Sequence, residues 1–509
     1  MTSSLRGRRG PGIRTWLAVC SAAVAVLWIA GTDAQQPTEI LVRGGLVVTA
    51  ETRKLADVRI RGEKVVEIGA NLTPAAGARV INAQGKLVLP GGVDPHVHLQ
   101  AELPTPPRPN AATDDYVSGS AAAMAGGVTT IANFVGKQPD EDVKTFADRV
   151  TAQVNKSAMA DFMLHVNLGA DPAWATLPTL NALADRGFTS TKTFMRNTSF
   201  DTNIIAFTKA FRASAAAGIL SMIHCEDAAL LSELTETMMA EGRGSLHNYT
   251  QSRPVITEVL ATERAVSIAE ATGAPFYFVH LSAERALKAA AAGMARGLPI
   301  YVETRPLYIH FSEEVYLKPD VGLYIGEPPM REKRDVDALW EGMAKGTVHV
   351  VSTDHSGFSK ATKLNPAQTV ADKRAGMNLL QAYRPVLFSE GVSKGRLTIE
   401  QFVEVSSANP AKLFGLYPRK GTIQVGSDAD VVIWDPVLKK AVRDEDELSN
   451  AKYSIFAGWE VTGWPVTTIR RGEVVYENGK ILSRPGSGKF IPGARFTAKP
   501  ALRSFTNYN

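Results

Sequence analysis

Two histidines two residues apart, in Asp94-Pro95-His96-Val97-His98, directly follow the apolar stretch Leu87–Pro90. On an extended segment residues two apart point the same way, so both imidazoles can reach one cation from a strand end. An isolated pair of this kind is more often two ordinary surface histidines, but three further residues change that reading. His224, His280 and Asp354 close the runs Met222-Ile223-His224, Phe278-Val279-His280 and Ser352-Thr353-Asp354. Neutral imidazole and carboxylate suit zinc and other divalent first-row ions, and additional carboxylate ligation lets two ions share a site. Lys192, in Ser190-Thr191-Lys192-Thr193-Phe194-Met195, has apolar surroundings in which an unpaired ammonium is costly. Without such neighbours it would snorkel to solvent. At a strand end among metal ligands it can instead become an N-carboxylated lysine, a carboxylate that bridges two cations.

The elements that must position these groups are short, continuously apolar runs alternating with helical patterns between residues 128 and 358. Continuous rather than alternating polarity suits parallel strands buried on both faces. The expected strands are Val128–Phe134, Asp161–Leu168, Ser190–Phe194, Leu220–His224, Phe276–His280, Ile300–Thr304 and Val348–Thr353. Helices are expected at Val143–Val154, Thr202–Ala217, Thr257–Thr272, Ala283–Arg296 and Asp335–Lys345. Counting Leu87–Pro90 as a further strand gives eight, the number for a closed α/β barrel of the (β/α)8 TIM type over residues 90–415. In such barrels active sites lie at the C-terminal ends of the strands, where His224, His280 and Asp354 fall. Both flanks read as short strands with turns, so residues 35–89 and 416–480 are expected to form one small β-sandwich from the two chain ends. Residues 481–509 read as an extended basic tail, placed against a neighbouring subunit.

With 45% hydrophobic and 21% charged residues in 509, the composition is that of a globular protein, neither disordered nor fibrous. Arg6, Arg8, Arg9 and Arg14 precede an apolar run, Trp16–Gly31, that ends in Thr32-Asp33-Ala34. That layout reads as a cleaved signal peptide over residues 1–34, and the sixteen apolar residues fall short of the roughly 20 that span a bilayer. The expected protein is therefore exported, periplasmic or secreted, without stable membrane insertion after cleavage. Removing residues 1–34 leaves 52 basic against 50 acidic side chains, net +2, interspersed rather than gathered on a face as nucleic-acid binding needs. Only Cys225 then remains, so no intrachain disulfide can form.

The run Gly91-Gly92-Val93-Asp94-Pro95-His96-Val97-His98-Leu99 resembles the opening metal motif of the hydantoinase, dihydropyrimidinase and allantoinase branch of the amidohydrolase superfamily. The resemblance spans nearly all of the mature chain. It continues through Thr113-Asp114-Asp115-Tyr116, Ala125-Gly126-Gly127-Val128-Thr129-Thr130, Glu327-Pro328-Pro329-Met330-Arg331, Ser352-Thr353-Asp354-His355 and Asn409-Pro410-Ala411-Lys412-Leu413-Phe414-Gly415. It implies that His96, His98 and Asp354 hold one divalent ion, that His224 and His280 hold another, and that carboxylated Lys192 bridges them, with zinc as the expected metal. The implied reaction is hydrolysis of a C–N bond in a cyclic amide such as a hydantoin or dihydropyrimidine. There the shared cations give hydroxide at neutral pH, and Asp354 serves as general base and then acid. The resemblance also implies a homo-oligomer, often a tetramer, acting on a small-molecule amide.

Departures from the family pattern gather where substrate would sit. Asn197 stands where a tyrosine is usual, five residues beyond the bridging lysine, and Arg196 precedes it. Ala375-Gly376 replaces an Asn-Gly pair, Arg305 an uncharged residue, and Glu327 a small one. Arg196, Asn197, Arg305, Glu327 and His355 are the candidate substrate contacts. Gln100 follows Leu99 where dihydroorotases carry arginine, which argues against that activity. Two cationic candidates keep an acyclic N-acyl or N-carbamoyl amino acid as the alternative substrate, and loss of the tyrosine keeps a non-catalytic scaffold as a third reading. For the exported chain, intact mass is expected to place the mature N-terminus at Gln35; retention of residues 1–34 after export would refute a cleaved leader.

Overall fold

The computed structural model describes residues 39–104, 111–496 and 502; the expected leader, residues 1–34, lies outside them. Apolar runs without alternation need cover on both faces, and eight of them lie side by side in one parallel sheet. In chain order they are β1 (Gly92–Val97), β2 (Val128–Gly136), β3 (Asp161–Asn167), β4 (Ser190–Phe194), β5 (Leu220–His224), β6 (Phe276–Phe278), β7 (Ile300–Thr304) and β8 (Val350–Val351). The helices expected from the sequence occur as Val143–Asn155, Ile204–Ala217, Val255–Thr272, Glu284–Ala295 and Lys333–Lys345. Three of them stop at Gly218, Gly273 and Gly346, whose φ of 68°, 69° and 81° is the left-handed conformation that ends a helix.

The sheet curls until β1 meets the chain beyond β8. Val97 bridges His355 in parallel, and the His98 N–H donates to the His355 carbonyl at 2.7 Å. Asp94 fastens the seam from inside. Its carboxylate accepts from Thr353 Oγ1 at 2.6 Å and from the Thr353 and His96 N–H groups, each at 3.2 Å.

Leu87–Pro90, expected as a barrel strand, belongs to the second sheet, and the barrel begins at Gly92. Leu87–Pro90 pairs in parallel with Ile40–Val48 and antiparallel with Val431–Ala441. The chain changes sheets at Gly91, where a Cβ would meet Thr129 Oγ1 at 2.1 Å, so only glycine makes the crossing. Two short apolar strands separated by a single residue look alike in sequence. Which neighbours they pair with decides their sheet. That second sheet is mixed, has nine strands drawn from both ends of the chain, and encloses its own core of Val58, Ile60, Val88, Val431, Ile433 and Ile469.

Of the tail expected at residues 481–509, residues 481–496 lie on the chain's own barrel, and residues 497–501 and 503–509 lie outside the described residues. Phe162 donates its N–H to the Lys489 carbonyl at 2.9 Å, and Gly493 and Phe496 donate to the carbonyls of Gly187 and Gly218 at 3.0 and 2.7 Å. These partners precede or open β3, β4 and β5, so the tail covers the mouth opposite the candidate donors. Its unpaired backbone groups find acceptors and donors there that water would otherwise supply. Among the described residues, no helix is long and apolar enough to cross a membrane.

A buried ionic cluster ties sheet, barrel and tail together. Lys420 Nζ donates to Asp161 Oδ2 at 2.6 Å and Asp430 Oδ2 at 2.8 Å, and Arg471 Nε meets Asp161 at 3.0 Å. Removing one member of such a cluster leaves buried charge uncompensated. Lys420→Met is expected to cost about 3–5 kcal/mol, read as a lower urea midpoint; an unchanged midpoint would show that the cluster does not stabilise the fold.

Candidate metal centre

His96 and His98 project from the end of β1, Lys192 from β4, and His224 from the last position of β5. His280 and Asp354 follow β6 and β8 with φ of 43° and 47°. A left-handed backbone is costly for residues with a Cβ and marks places where the surrounding structure dictates the conformation. At these two positions it turns the side chain off the strand direction and into the barrel mouth. All six groups line one cavity of about 380 Å³, together with Arg196, Arg305, Glu327, Phe194 and Gly376.

The donors are close enough to share cations. His96 Nε2 and His98 Nε2 lie 3.1 and 2.9 Å from the same Asp354 oxygen, and one donor atom from each of the three lies within 4.8 Å of the others. The His224 and His280 rings are 4.5 Å apart between centroids, and the His96 and His280 rings 5.5 Å. Lys192 Nζ sits between Phe134 and Phe194, 5.1 and 5.0 Å from their ring centres, with no hydrogen-bond partner. His280 Nδ1 is likewise buried and unpartnered. Orphaned nitrogens at a barrel mouth are destabilising unless something else satisfies them, and a divalent cation beside imidazoles and a carboxylate does so.

Burial sets the protonation states. It pushes His224 down to about 4 and His280 well below its ordinary value, giving the neutral imidazoles that ligate metal, and it pushes Lys192 down to about 8, which raises the share of neutral amine without making it the main form at pH 7. Burial would raise Asp354, but Arg305 and His96 outweigh it and hold the carboxyl well below the usual range.

Groups behind the donors fix ring orientation. His96 Nδ1 donates to Glu303 Oε1 at 2.8 Å, which leaves Nε2 for a cation. Glu303 also accepts from Tyr277 OH at 2.7 Å and from the His280 N–H at 3.1 Å, so one carboxylate positions two candidate ligands. His224 Nε2 donates to Glu226 Oε2 at 2.7 Å, leaving Nδ1 facing the cavity, and Arg253 Nη1 holds the same oxygen at 2.6 Å. Sequence reasoning assigned no role to Glu303, Glu226 or Arg253. Glu226 is two residues beyond His224, the same-side spacing that singled out His96 and His98, so that signal was present. Arg253 arrives from a helix start 29 residues beyond His224 and carries no local mark.

Of the five candidate substrate contacts, Arg196, Arg305 and Glu327 reach the cavity wall. Asn197 does not. It is exposed and precedes the short helix Thr198–Thr202. His355 is fully buried away from the cavity, donating from Nε2 to Asp114 at 3.1 Å and accepting at Nδ1 from the Leu379 N–H at 3.1 Å. It thereby steadies the backbone next to Asp354.

A parallel barrel with ionisable donors gathered at its strand ends defines a class of hydrolase, and comparison places the chain within it. The chain belongs to the amidohydrolase family, whose model matches residues 87–475. Membership implies divalent metal ions. The chain is 33% identical to the D-hydantoinase of Geobacillus stearothermophilus over 464 residues, covering 90% of this chain and 97% of that protein. Among solved structures, D-hydantoinase from a Bacillus species superposes with a TM-score of 0.85 at 34% identity, covering 90% of this chain and 99% of the other. Dihydropyrimidinase from Brevibacillus agri gives 0.83 at 32% identity, covering 90% and 100%.

Glu303→Gln replaces a charged acceptor by a neutral one behind His96. It is expected to weaken metal affinity by about 10–100-fold, measured by competition with a chelator. An unchanged affinity would mean that His96 needs no such orientation.

Proposed function

We propose that the chain hydrolyses a C–N bond of a cyclic amide, a hydantoin, dihydropyrimidine or related ring, with two divalent ions at the barrel mouth. The observation that carries this reading is the convergence of all six donors on one cavity, in a chain of the same family as D-hydantoinases. His96, His98 and Asp354 would hold one ion, His224 and His280 the other, with Lys192, carboxylated, between them. Imidazole and carboxylate donors favour zinc. When bound, the two cations supply a nucleophilic water at neutral pH and polarise the substrate carbonyl.

The chain's own residues do the rest. Asp354, held ionised, accepts the proton as water attacks the carbonyl carbon and delivers it to the ring nitrogen as the C–N bond breaks. Glu303 and Glu226 keep His96 and His224 in the tautomers that leave a nitrogen toward the cavity. Phe134 and Phe194 keep bulk water from Lys192. Export rests on the leader-like residues 1–34, and assembly into a homo-tetramer on the family resemblance alone.

Metal content and ring opening test this together. The mature chain loaded with zinc and bicarbonate is expected to hold two metals and to open hydantoin or dihydrouracil. Lys192→Ala is expected to lose the second metal and more than about a thousandfold in rate, the several kcal/mol that metal activation supplies. No bound metal, or a fully loaded chain that opens neither ring, would sink the reading. Cleavage confined to N-carbamoyl amino acids would move it to acyclic amides.

A further inference from the structure

Charge is unevenly balanced on the cavity wall and just behind it, where Arg253, Lys373 and Glu226 back the lining residues Arg196, Arg305 and Glu327. Glu327 meets three cations. Arg253 Nη2 donates to its Oε1 at 2.7 Å, Lys373 Nζ lies 3.4 Å from the same oxygen, and Arg196 Nη1 lies 3.3 Å from Oε2. Arg253 is shared with Glu226, and Arg305 Nη1 lies 3.1 Å from Asp354 Oδ2. Glu303 belongs behind His96. With Asp354 counted as the partner of Arg305, four cations, Arg196, Arg253, Arg305 and Lys373, face three carboxylates, Glu226, Glu327 and Asp354, a surplus of one positive charge. The surplus is felt within the cluster, where burial and then Arg253 push Lys373 below its ordinary value.

Two of these guanidinium groups also have N–H groups with nothing to donate to. Arg196 Nε and Arg305 Nη2 are both buried without a partner, and both side chains line the cavity. Arg305 has a side chain only 1% exposed, so it cannot turn to water for an acceptor. A buried donor left unsatisfied costs about 1–3 kcal/mol, and more when charged. The two arginines flank one short piece of wall. Arg305 Nη1 lies 3.3 Å from where a Gly326 Cβ would be, and Arg196 pairs with the next residue, Glu327.

We propose that the substrate ring carries a carboxylate and that Arg305 and Arg196 are the residues that receive it, a proposal that rests on the cyclic-amide reading above. A carboxylate offers two acceptor oxygens, which suits two orphaned guanidinium N–H groups, and its charge offsets the surplus on the wall. A neutral carbonyl would accept from these N–H groups but leave the surplus charge unanswered. If Arg305 served only to hold Asp354, Nη1 would suffice and Nη2 would remain orphaned. The cavity, about 380 Å³, accommodates a five- or six-membered ring with a short acidic arm.

Hydantoin-5-acetic acid and hydantoin-5-acetamide test this, because they match in size and differ in charge. With the two-metal protein, kcat/KM for the acid is expected to exceed that for the amide by about tenfold or more. The ratio is expected to fall toward one in Arg196→Gln and in Arg305→Gln, to survive partly in Arg196→Lys, and to shrink as salt rises. Being a ratio, it is unaffected by a general loss of rate in Arg305→Gln, which also touches Asp354. Equal kcat/KM for the two rings in the wild type, or a ratio unchanged in both glutamine variants, would overturn the carboxylate site and leave ring hydrolysis standing. Should neither ring open, the cyclic-amide reading fails by itself, and dissociation constants for the same two compounds by calorimetry still decide. Tighter binding of the acid, lost in Arg196→Gln, would support the site. Equal binding would overturn it.

Discussion

The barrel mouth depends on one seam, where β1 is fastened to the chain beyond β8. His96 and His98 stand more than 250 residues from Asp354 in sequence, and nothing local brings them together. Asp94 does so by accepting from both Thr353 and the His96 backbone while wholly buried. Burial pushes its carboxyl up to about 6, a measure of how far that environment resists the charge. Three hydrogen bonds offset the penalty. The same contacts that close the ring therefore set the separation of the two histidines from Asp354.

A second constraint follows from crowding ionisable groups in a dry mouth. Each candidate donor can ligate only if its proton is on the other nitrogen or gone, and low dielectric makes every unpaired charge expensive. Glu303 and Glu226 answer this from behind, and the left-handed turns at His280 and Asp354 place two donors where strand geometry alone would not. Local backbone cost is accepted at the positions that face the cavity, and β1 itself shifts register against β2 at Gly92/Val93 and Asp94/Val97, while the other barrel strands pair without shifts.

The six donors are complete, whereas the surrounding wall departs from the family pattern. Glu327, where a small residue is usual, is held down to about 2 because Arg253, Arg196 and Lys373 together overcome burial. It cannot be read as an isolated acid. Any substitution at this wall therefore acts on a charge network rather than a single contact. Arg305 beside Asp354 adds a further ion pair to the same wall.

Strands and helices were legible because parallel strands buried on both faces leave continuous apolar runs, and because helices end at glycine. The six donors were legible because His-x-His and strand-terminal histidine and aspartate have few other reasons to coincide, and because the surrounding motifs resemble a known family. Three features had no local signal. Leu87–Pro90 looked like a barrel strand until its pairing partners assigned it to the other sheet. The tail's place against its own barrel depends on backbone hydrogen bonds to residues hundreds of positions away. Of the polar residues singled out, Arg196, Arg305 and Glu327 face the cavity while Asn197 and His355 do not, a difference set by how each strand end turns. Residue type and spacing determined which chemistry the chain could assemble. Long-range pairing decided which side chains share the cavity, because direction and charge compensation are properties of neighbours that only the closed barrel brings together.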